Sequence, residues 1–367
     1  MNVPFVDLKA QQAEILDEVT LELGRTLADA TFIGGPAVAA FEEEYAQHLG
    51  SRYCVGVGNG TDALELALRA VGVEPGGEVI LPVNTFIATA EAVSRLGAVP
   101  VFVDVDPVHL LIDPDAVSAA ITGRTQAIIP VHLFGQVAPM KALRDITAST
   151  GIPLVEDSAQ AQGASCAEGM AGSLGTVAST SFYPGKNLGA AGDAGAVTTD
   201  DAGIARTVRV LAAHGSEHRY VHERVGFNSR LDAIQAIVLR AKLRKLAGWN
   251  TRRADAADVY ADLLGAIPGV RIPVTAPGNT DIWHLYVVRV AERERVLARL
   301  SAAGVGAAIH YPTPLHLTEA YASLGIPAGS FPVAEQAAAQ ILSLPMFPHL
   351  SPDQQETVAS ALAEAVR

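Results

Sequence analysis

The chain has 367 residues, of which 49% are hydrophobic and 18% charged, a composition that excludes intrinsically disordered and fibrous proteins. Its 26 basic and 39 acidic side chains give a formal net charge of −13, which disfavours a general nucleic-acid or anionic-membrane binder because phosphates need a basic face. Two cysteines cannot build a disulfide framework or a four-thiolate zinc site. Asp7 and Lys9 interrupt the N-terminus, and no uncharged apolar run approaches ~18 residues, so we expect a cytoplasmic protein without a signal peptide or membrane span.

Short apolar runs alternate with Ala-rich segments of helical period between residues 53 and 200. The runs predict strands at CVGVG, EVILP, VPVFVDV, QAIIPVHLF, IPLVED, TVASTSFY and GAVTT. The segments TDALELALRAVG, TFIATAEAVSRLG, DPDAVSAAI and KALRDITAST predict helices, since most begin at Thr or Asp and several end at Gly. Apolar strands separated by helices predict an α/β domain whose mostly parallel central sheet is buried on both faces.

The pattern changes after Asn228, where LDAIQAIVLRAKLRKLAGWNTRRADAADVYADLL predicts a long helix. The segments HLYVVRV and VGAAIHY then follow between further helical segments, a composition typical of a smaller α+β domain. We place the boundary between residues 240 and 265. The chain is therefore divided into a large domain over residues 1–250, which includes an N-terminal helical segment, and a small C-terminal domain over residues 251–367.

Lys186 differs from the other lysines of the chain. It follows an apolar run in STSFYPGKNLGAAGDAGAVTT, is flanked by glycines, and has no acidic residue after it before Asp193. This setting predicts a lowered pKa, so that a neutral amine could form a Schiff base. The alternative is a lysine whose stem packs while its ammonium reaches solvent. Solvated surface side chains are expected for the remaining lysines, namely Lys9, Lys141, Lys242 and Lys245.

Asp157 ends the predicted strand IPLVED, at the carboxyl end where ligands of open α/β sheets collect. A buried carboxylate there needs a cationic partner. Pyridoxal phosphate supplies one in its protonated pyridine nitrogen, and it also requires a lysine. Gln160 could hydrogen-bond the ring oxygen of that cofactor. An Asp that caps the next helix is an alternative of nearly equal weight.

A phosphate site is predicted at Gly58-Asn59-Gly60-Thr61, between a strand and a helix. The glycines let backbone N–H groups approach an anion, Thr61 adds a hydroxyl, and the helix dipole favours negative charge. The spacing differs from the dinucleotide fingerprint, and PGKN lacks the Ser or Thr of a P-loop. Phe86, after the next strand, could lie flat on a planar ring, although an aromatic residue there is more often part of the core.

His214, His218 and His222 are spaced by four residues, as metal ligands on a helix would be. Gly215 and Gly226 and the lack of an apolar stripe instead predict a loop, so we expect no metal. The neighbourhood also carries a basic cluster, which is either a solvated face or a pocket for a phosphorylated substrate. The cluster comprises Arg206, Arg209, Arg219, Arg224 and Arg230.

Taken together, these motifs resemble the DegT-type family of pyridoxal-phosphate-dependent nucleotide-sugar aminotransferases over essentially the full length of the chain. The resemblance is carried by VPFVDLKAQQ, FEEEYAQHLG, GNGTDALELAL, PVNTFIATAEAV, VHLFGQ, EDSAQAQGA, SFYPGKNLGAAGDAGAV, GFNSRLDAIQA, HYPTPLHL and LPMFPHL. It implies an aspartate-aminotransferase-like large domain of fold type I. It also implies a homodimer whose active sites are shared at the subunit interface.

The resemblance implies two catalytic residues, Lys186 as the Schiff-base lysine and Asp157 as the partner of the pyridinium. It further implies the remaining cofactor contacts: Gln160 at the ring oxygen, Phe86 against the ring face, Gly60, Thr61 and Ser181 at the phosphate, and Asn228 at the phosphate of the neighbouring subunit's cofactor. Candidates for contact with the sugar nucleotide are Tyr183, Arg219, Tyr220, His310 and Tyr311.

The resemblance also indicates a substrate. A dehydratase branch of the family has His in place of the lysine, so Lys186 favours transamination. The segment KNLGAAGDAGAV resembles members that aminate a 3-keto sugar, whereas the 4-keto branch more often has KTITTGEGG. We therefore expect a dTDP-linked 3-keto-6-deoxyhexose that becomes a 3-amino-3,6-dideoxyhexose, with L-glutamate as the amino donor. The alternatives are a 4-keto-sugar aminotransferase of the same family and a non-catalytic regulatory relative.

Overall fold

The computed structural model describes residues 2–367, and its strands form one large central sheet and several small ones. The strands of the central sheet are β1 (Tyr53–Val57), β2 (Glu78–Pro82), β3 (Val99–Val103), β4 (Thr125–Ile128), β5 (Val155–Asp157), β8 (Val177–Ser181) and β9 (Gly195–Thr199). The remaining strands are β6 (Ser165–Cys166), β7 (Gly169–Met170), β10 (Ser216–His218), β11 (Val221–His222), β12 (Val270–Arg271), β13 (Tyr286–Val290) and β14 (Ile341–Leu344).

The central sheet consists of two hydrogen-bonded groups, β1-β9-β8-β5 and β3-β2-β4. Parallel bridges between Ile128 and Leu154 and between Val131 and Asp157 join the two groups along β4 and β5. Strand β9 is antiparallel to both of its neighbours, whereas the other pairs are parallel. The mostly parallel sheet predicted from the apolar runs is therefore confirmed, with one reversed strand.

Helices cover this sheet, and three of them begin at a capping side chain, including two that the sequence predicts. Asn59, Asp113 and Asp201 each accept a backbone N–H in the first turn of the helix that follows, which satisfies donors that a helix leaves unpaired. The helices are α1 (Leu8–Ala13), α2 (Leu16–Asp29), α3 (Pro36–Leu49), α4 (Gly60–Ala70), α5 (Ile87–Arg95), α6 (Pro114–Ala120), α7 (Met140–Thr147), α8 (Ala202–Ala212), α9 (Ala233–Leu264), α10 (Arg293–Ala302), α11 (Pro332–Ala338) and α12 (Pro352–Ala365).

Helix α9 runs for 32 residues and contains the predicted domain boundary at residue 250. A three-stranded antiparallel sheet, β12-β13-β14, follows it. The segment VGAAIHY forms only isolated bridges at Val305 and Ala308. The C-terminal elements bury a core of their own that includes Tyr260, Val288 and Leu362. None of the helices in residues 2–367 is long and apolar enough to cross a membrane.

The segment around the three spaced histidines differs from the prediction. Instead of a loop, β10 and β11 form a short antiparallel hairpin with a register shift. Its strands have only three and two residues, too short to show the alternation by which a strand is recognised in a sequence.

Candidate active site

A cavity of about 600 Å³ opens where β5, β8 and the first turn of α4 meet. Parallel pairing sets Asp157 of β5 opposite Ser179 of β8, so the carboxyl ends of these strands lie at one edge of the sheet, where ligands bind in α/β folds. Most of the predicted site residues line this cavity. They are Gly60, Thr61, Phe86, Asp157, Gln160, Ser181, Tyr183, Lys186, His310 and Tyr311.

The first turn of α4 forms one end of the cavity. Asn59 caps the helix by accepting the Asp62 N–H at 2.8 Å, and Gly60 and Thr61 follow at the positions whose N–H groups have no partner within a helix. Gly60 packs so closely on β8 that an added Cβ would lie 2.5 Å from the Cβ of Ser181. The arrangement suits a phosphate, because unpaired N–H groups and a hydroxyl converge at the positive end of a helix.

Asp157 is 6% exposed and faces the cavity with its carboxylate. Its Oδ2 accepts a hydrogen bond of 2.8 Å from Thr89, which in turn lies 2.9 Å from the hydroxyl of Thr85. Its Oδ1 accepts the Ala159 N–H at 3.2 Å. No helix forms in residues 158–164, so Asp157 is not a helix cap. No cationic side chain in residues 2–367 pairs with it, and a ligand with a protonated ring nitrogen would supply the missing charge.

Lys186 is half-buried beside this carboxylate. Burial of its amine lowers the pKa of Lys186 to about 8, against the opposing attraction of Asp157. With this pKa about a tenth of the amine is neutral at pH 7, far more than for an ordinary lysine, and the neutral form is the nucleophile.

Lys242 contradicts the expectation of a solvated side chain. It is 7% exposed, because it shares a face of α9 with the buried Val238 and Leu246, and desolvation lowers the pKa of Lys242 to about 8 as well. A lowered pKa alone therefore does not distinguish Lys186, whereas its position in the cavity does.

Gln160, Phe86 and Tyr311 lie together in one wall of the cavity. The Gln160 amide nitrogen donates to the Tyr311 hydroxyl at 3.1 Å, and its oxygen accepts the Phe134 N–H at 2.7 Å. The ring of Phe86 is 51% exposed and lies 5.3 Å from that of Tyr311. An exposed aromatic face at a cavity offers a stacking surface for a flat ring.

His310 precedes Tyr311 in the same wall. Its Nδ1 lies 2.9 Å from the Ser343 hydroxyl. Burial, together with repulsion from Lys186, lowers the pKa of His310 to about 4. His310 is therefore neutral in the cavity at neutral pH, and its ring can both donate and accept a hydrogen bond.

Arg219, Tyr220 and Asn228 lie outside the cavity of their own chain. Arg219 and Tyr220 lie at the tip of the β10–β11 hairpin, where Tyr220 is 78% exposed and the Arg219 guanidinium lies 4.9 Å from its ring centre. Asn228 is also exposed, although the adjacent Ser229 accepts the Gly58 N–H at 3.0 Å. The segment therefore passes beside the phosphate loop of its own chain, while the Asn228 side chain remains on the surface.

The three spaced histidines lie in the β10–β11 hairpin and just before it. His222 lies 2.8 Å from the carbonyl oxygen of His214, and no cluster in residues 2–367 has the side chains that a metal ion needs. In the basic cluster, Arg206 pairs with Glu217 and Glu223. Arg206 is therefore part of a solvated face and does not form a pocket for a phosphorylated substrate.

Arg253 and His284 are among the residues that line the cavity without having been predicted from the sequence. His284 Nδ1 lies 3.1 Å from the Asn187 side-chain oxygen, next to Lys186, and burial holds the pKa of His284 well below its usual range. A lone histidine before a strand gives no recognisable signal. Arg253, however, interrupts the apolar stripe of α9 between Trp249 and Tyr260, and a charged residue on such a stripe could have been noticed.

These residues fit pyridoxal phosphate. A lysine with a lowered pKa, a buried carboxylate without a cation, a phosphate-sized cradle at a helix N-terminus and an exposed aromatic face all border one cavity. The first two are the groups that the cofactor's aldehyde and ring nitrogen require.

Comparisons with known proteins show which family the chain resembles. Residues 13–363 match the DegT/DnrJ/EryC1/StrS aminotransferase family. The erythromycin biosynthesis sensory transduction protein EryC1 of Saccharopolyspora erythraea is 49% identical over 362 residues, which cover 99% of each chain. The dTDP-3-amino-3,4,6-trideoxy-alpha-D-glucose transaminase of Streptomyces venezuelae is 46% identical over 363 residues, which cover 99% of this chain and 96% of that protein. The crystal structure of S. venezuelae DesV in complex with a ketimine intermediate has a TM-score of 0.97 and 46% identity, covering 100% of this chain and 99% of the other.

Proposed function

The chain belongs to the DegT/DnrJ/EryC1/StrS aminotransferase family and is a pyridoxal-phosphate-dependent aminotransferase, and we propose that it transfers the amino group of L-glutamate to a nucleotide-linked keto-sugar. The acceptor is a dTDP-3-keto-6-deoxyhexose, and the product is its 3-amino-3,6-dideoxy derivative. The observation that carries the proposal is the placement of Lys186, Asp157 and the first turn of α4 around one cavity.

Pyridoxal phosphate, when bound, supplies an aldehyde that carries the amino group and a ring that accepts electrons. Lys186 would hold the cofactor covalently and, once released, move a proton at its Nζ, for which a pKa of about 8 is suited. Asp157 would hold a proton on the ring nitrogen, with its carboxylate oriented by Thr89. Gly60, Thr61 and Ser181 would bind the phosphate, Gln160 the ring oxygen, and Phe86 the ring face.

The size of the cavity and the names of similar proteins support a nucleotide sugar as the amino acceptor. A cavity of about 600 Å³ lies within the range of small-molecule and cofactor sites, and it leaves room beside a cofactor for a further ligand. Tyr183 is exposed at the cavity, while His310 and Tyr311 offer polar atoms inside it. The relative from S. venezuelae that is 46% identical is named as a dTDP-sugar transaminase.

We further propose a homodimer in which Asn228, Arg219 and Tyr220 of one subunit complete the site of the other. Their exposure on their own chain, outside its cavity, supports this arrangement. The β10–β11 hairpin is followed by Val225, which is 96% exposed, and an exposed apolar group next to a functional segment is typical of an interface. Helix α2 carries further exposed leucines, Leu16, Leu21 and Leu27.

The remaining structural proposals concern fold and location. We assign the chain to fold type I, with a large cofactor-binding domain over residues 1–250 and a small α+β domain over residues 251–367. The antiparallel sheet β12-β13-β14 and the core around Val288 support the second domain. We also propose that the enzyme is cytoplasmic.

A regulatory role is the second candidate, because a relative 49% identical to the chain is named as a sensory transduction protein. A regulator without catalysis has no need for a reactive amine beside a buried carboxylate. Both Lys186 and Asp157 are present and face the same cavity, which favours catalysis.

The experiment measures the second half of the reaction alone. Protein loaded with pyridoxamine phosphate is mixed with dTDP- and UDP-linked 3-keto and 4-keto sugars, and the return of visible absorbance and the mass of the aminated sugar are recorded. We expect the dTDP-linked 3-keto sugar to react fastest, with no reaction in Lys186→Ala and an unchanged reaction in Lys141→Ala, whose side chain is exposed. Faster reaction of a 4-keto or UDP-linked sugar would contradict the acceptor assignment, and no reaction with any keto-sugar would refute the proposed function.

A further inference from the structure

Arg253 is a buried guanidinium in the wall of the cavity. It is 2% exposed, and it lies on the inner face of α9 with the apolar Trp249, Ala256 and Tyr260 as its helical neighbours. Burial lowers the pKa of Arg253 to about 9. Even so, the group remains charged at neutral pH.

The contacts of Arg253 leave part of its charge unpartnered. Nη1 donates to the carbonyl oxygens of Trp283 at 3.1 Å and Met346 at 2.8 Å. Nε and Nη2 have no acceptor, and no carboxylate within residues 2–367 forms an ion pair with the guanidinium. A buried cation of this kind is costly unless an anion neutralises it. Because the side chain lines the cavity, that anion would come from a ligand.

The position of Arg253 favours one anion over the others. The cofactor phosphate has its own cradle at Gly60 and Ser181. Arg253 lies instead on the side of Lys186, to which α9 is tied: the Asn187 amide, next to Lys186, donates to Asn250 of α9 at 2.9 Å. In an amino acid the α-carboxylate lies on the carbon that bears the reacting amine, whereas the diphosphate of a sugar nucleotide is separated from the keto carbon by part of the hexose ring.

We propose that Arg253 binds a carboxylate of the amino donor through its free Nε and Nη2 donors. The inference rests on the proposed function, since it assigns one of the two substrates of that reaction. Two parallel N–H donors match the two oxygens of a carboxylate, which gives geometric selectivity as well as charge. Arg253 is thereby a specificity-determining residue for the donor, and it has no part in binding the sugar nucleotide.

The test uses Arg253→Met, which removes the charge, and Arg253→Lys, which keeps the charge but lacks the two parallel N–H donors. Arg252→Met is the matched control, because its neighbouring guanidinium is exposed and pairs with Glu14. Calorimetry measures binding of glutarate, a dicarboxylate without an amine, to the cofactor-loaded protein. The two half-reactions, with L-glutamate and with the keto-sugar, are measured separately by absorbance.

We expect Arg253→Met to weaken glutarate binding and to raise the glutamate concentration for half-maximal rate by about 10- to 100-fold, with the sugar half-reaction within about 2-fold of wild type. Arg253→Lys should lose less than Arg253→Met, and Arg252→Met should lose nothing. If Arg253→Met does not fold, a loss of about 5-fold or more in Arg253→Lys, with the sugar half-reaction retained, supports the same assignment.

Unchanged glutarate binding in a folded Arg253→Met protein would overturn the proposal. So would a larger loss in the sugar half-reaction than in the glutamate half-reaction, because Arg253 would then serve the diphosphate. If the wild type bound glutarate and reacted with glutamate but with no keto-sugar, the proposed acceptor would be refuted. The assignment of Arg253 would then be decided separately, by glutarate binding and the glutamate half-reaction in its variants.

Discussion

Replacement of Asp157 by Asn separates the electronic role of this residue from its place in the fold. Asn has nearly the same shape and can still accept the hydrogen bond from Thr89, which is 2.8 Å long in the native protein. It has no negative charge, so it cannot hold a proton on the ring nitrogen of the cofactor. The protein should therefore still bind pyridoxal phosphate through the first turn of α4 and Ser181, but its electron-accepting capacity should fall.

The size of the effect follows from burial and from the missing partner. A hydrogen bond to a charged group is worth about 1.5 to 3 kcal/mol, and at 6% exposure solvent screens little of it. Its loss in the transition state slows the reaction by about 10- to 150-fold. The protein without cofactor should change little in stability, because removal of a buried carboxylate that has no ion pair in residues 2–367 offsets the loss of the hydrogen bond from the Ala159 N–H.

The assay combines the single-turnover rate with L-glutamate and the melting temperature measured with and without cofactor. Asp145→Asn is the control, since that carboxylate is exposed and pairs with Lys141 on α7. Wild-type rates in Asp157→Asn would refute the role of Asp157. A protein that melts at a much lower temperature without cofactor, yet reacts normally when loaded, would show that Asp157 serves the fold alone.

Three further predictions concern the cofactor. Gly60→Ala should weaken cofactor binding at least about 10-fold in a fluorescence titration, because its Cβ would lie 2.5 Å from that of Ser181 and would force the first turn of α4 away from β8 at the proposed phosphate site. Gly24→Ala, with open space around it, should bind the cofactor normally. The rate at which cofactor-free protein gains visible absorbance should rise with pH with a midpoint near 8, since only the neutral amine of Lys186 reacts and its pKa is lowered to about 8; a midpoint near 10 would contradict the lowered pKa. Lys186→Ala and Asn228→Asp should each be inactive but regain activity when mixed under conditions of subunit exchange, because one site of each mixed dimer then carries neither change; no recovery from folded dimers would place Asn228 at its own subunit's site.

Much of the fold could be predicted because it depends on local patterns. Strands buried on both faces, such as β2, in which every residue is buried, appear in the sequence as continuous apolar runs. Capping residues and glycines mark the helix ends between them. The reversal of β9 could not be predicted, because strand direction depends on connections and pairing partners that a run of apolar residues does not encode.

The residues of the site also fall into those that local motifs predict and those that only the tertiary packing brings together. Residues within motifs, such as Lys186 and Asp157, could be named from the sequence, and the structure places them at one cavity. Arg253 and His284 belong to that cavity only because α9 and the start of β13 fold back against the central sheet, and no local pattern records such contacts. The prediction of a solvated Lys242 is wrong, because its helical neighbours in the sequence give no measure of burial until the packing of α9 is known.

The central claim is that Lys186 holds the cofactor. Borohydride reduction of protein loaded with pyridoxal phosphate, followed by digestion and peptide mass mapping, tests it directly. We predict a single modified peptide in which the added mass lies on Lys186. If the added mass were found on Lys242 instead, which is buried and whose pKa is also lowered to about 8, the assignment of the cavity as the active site would be contradicted.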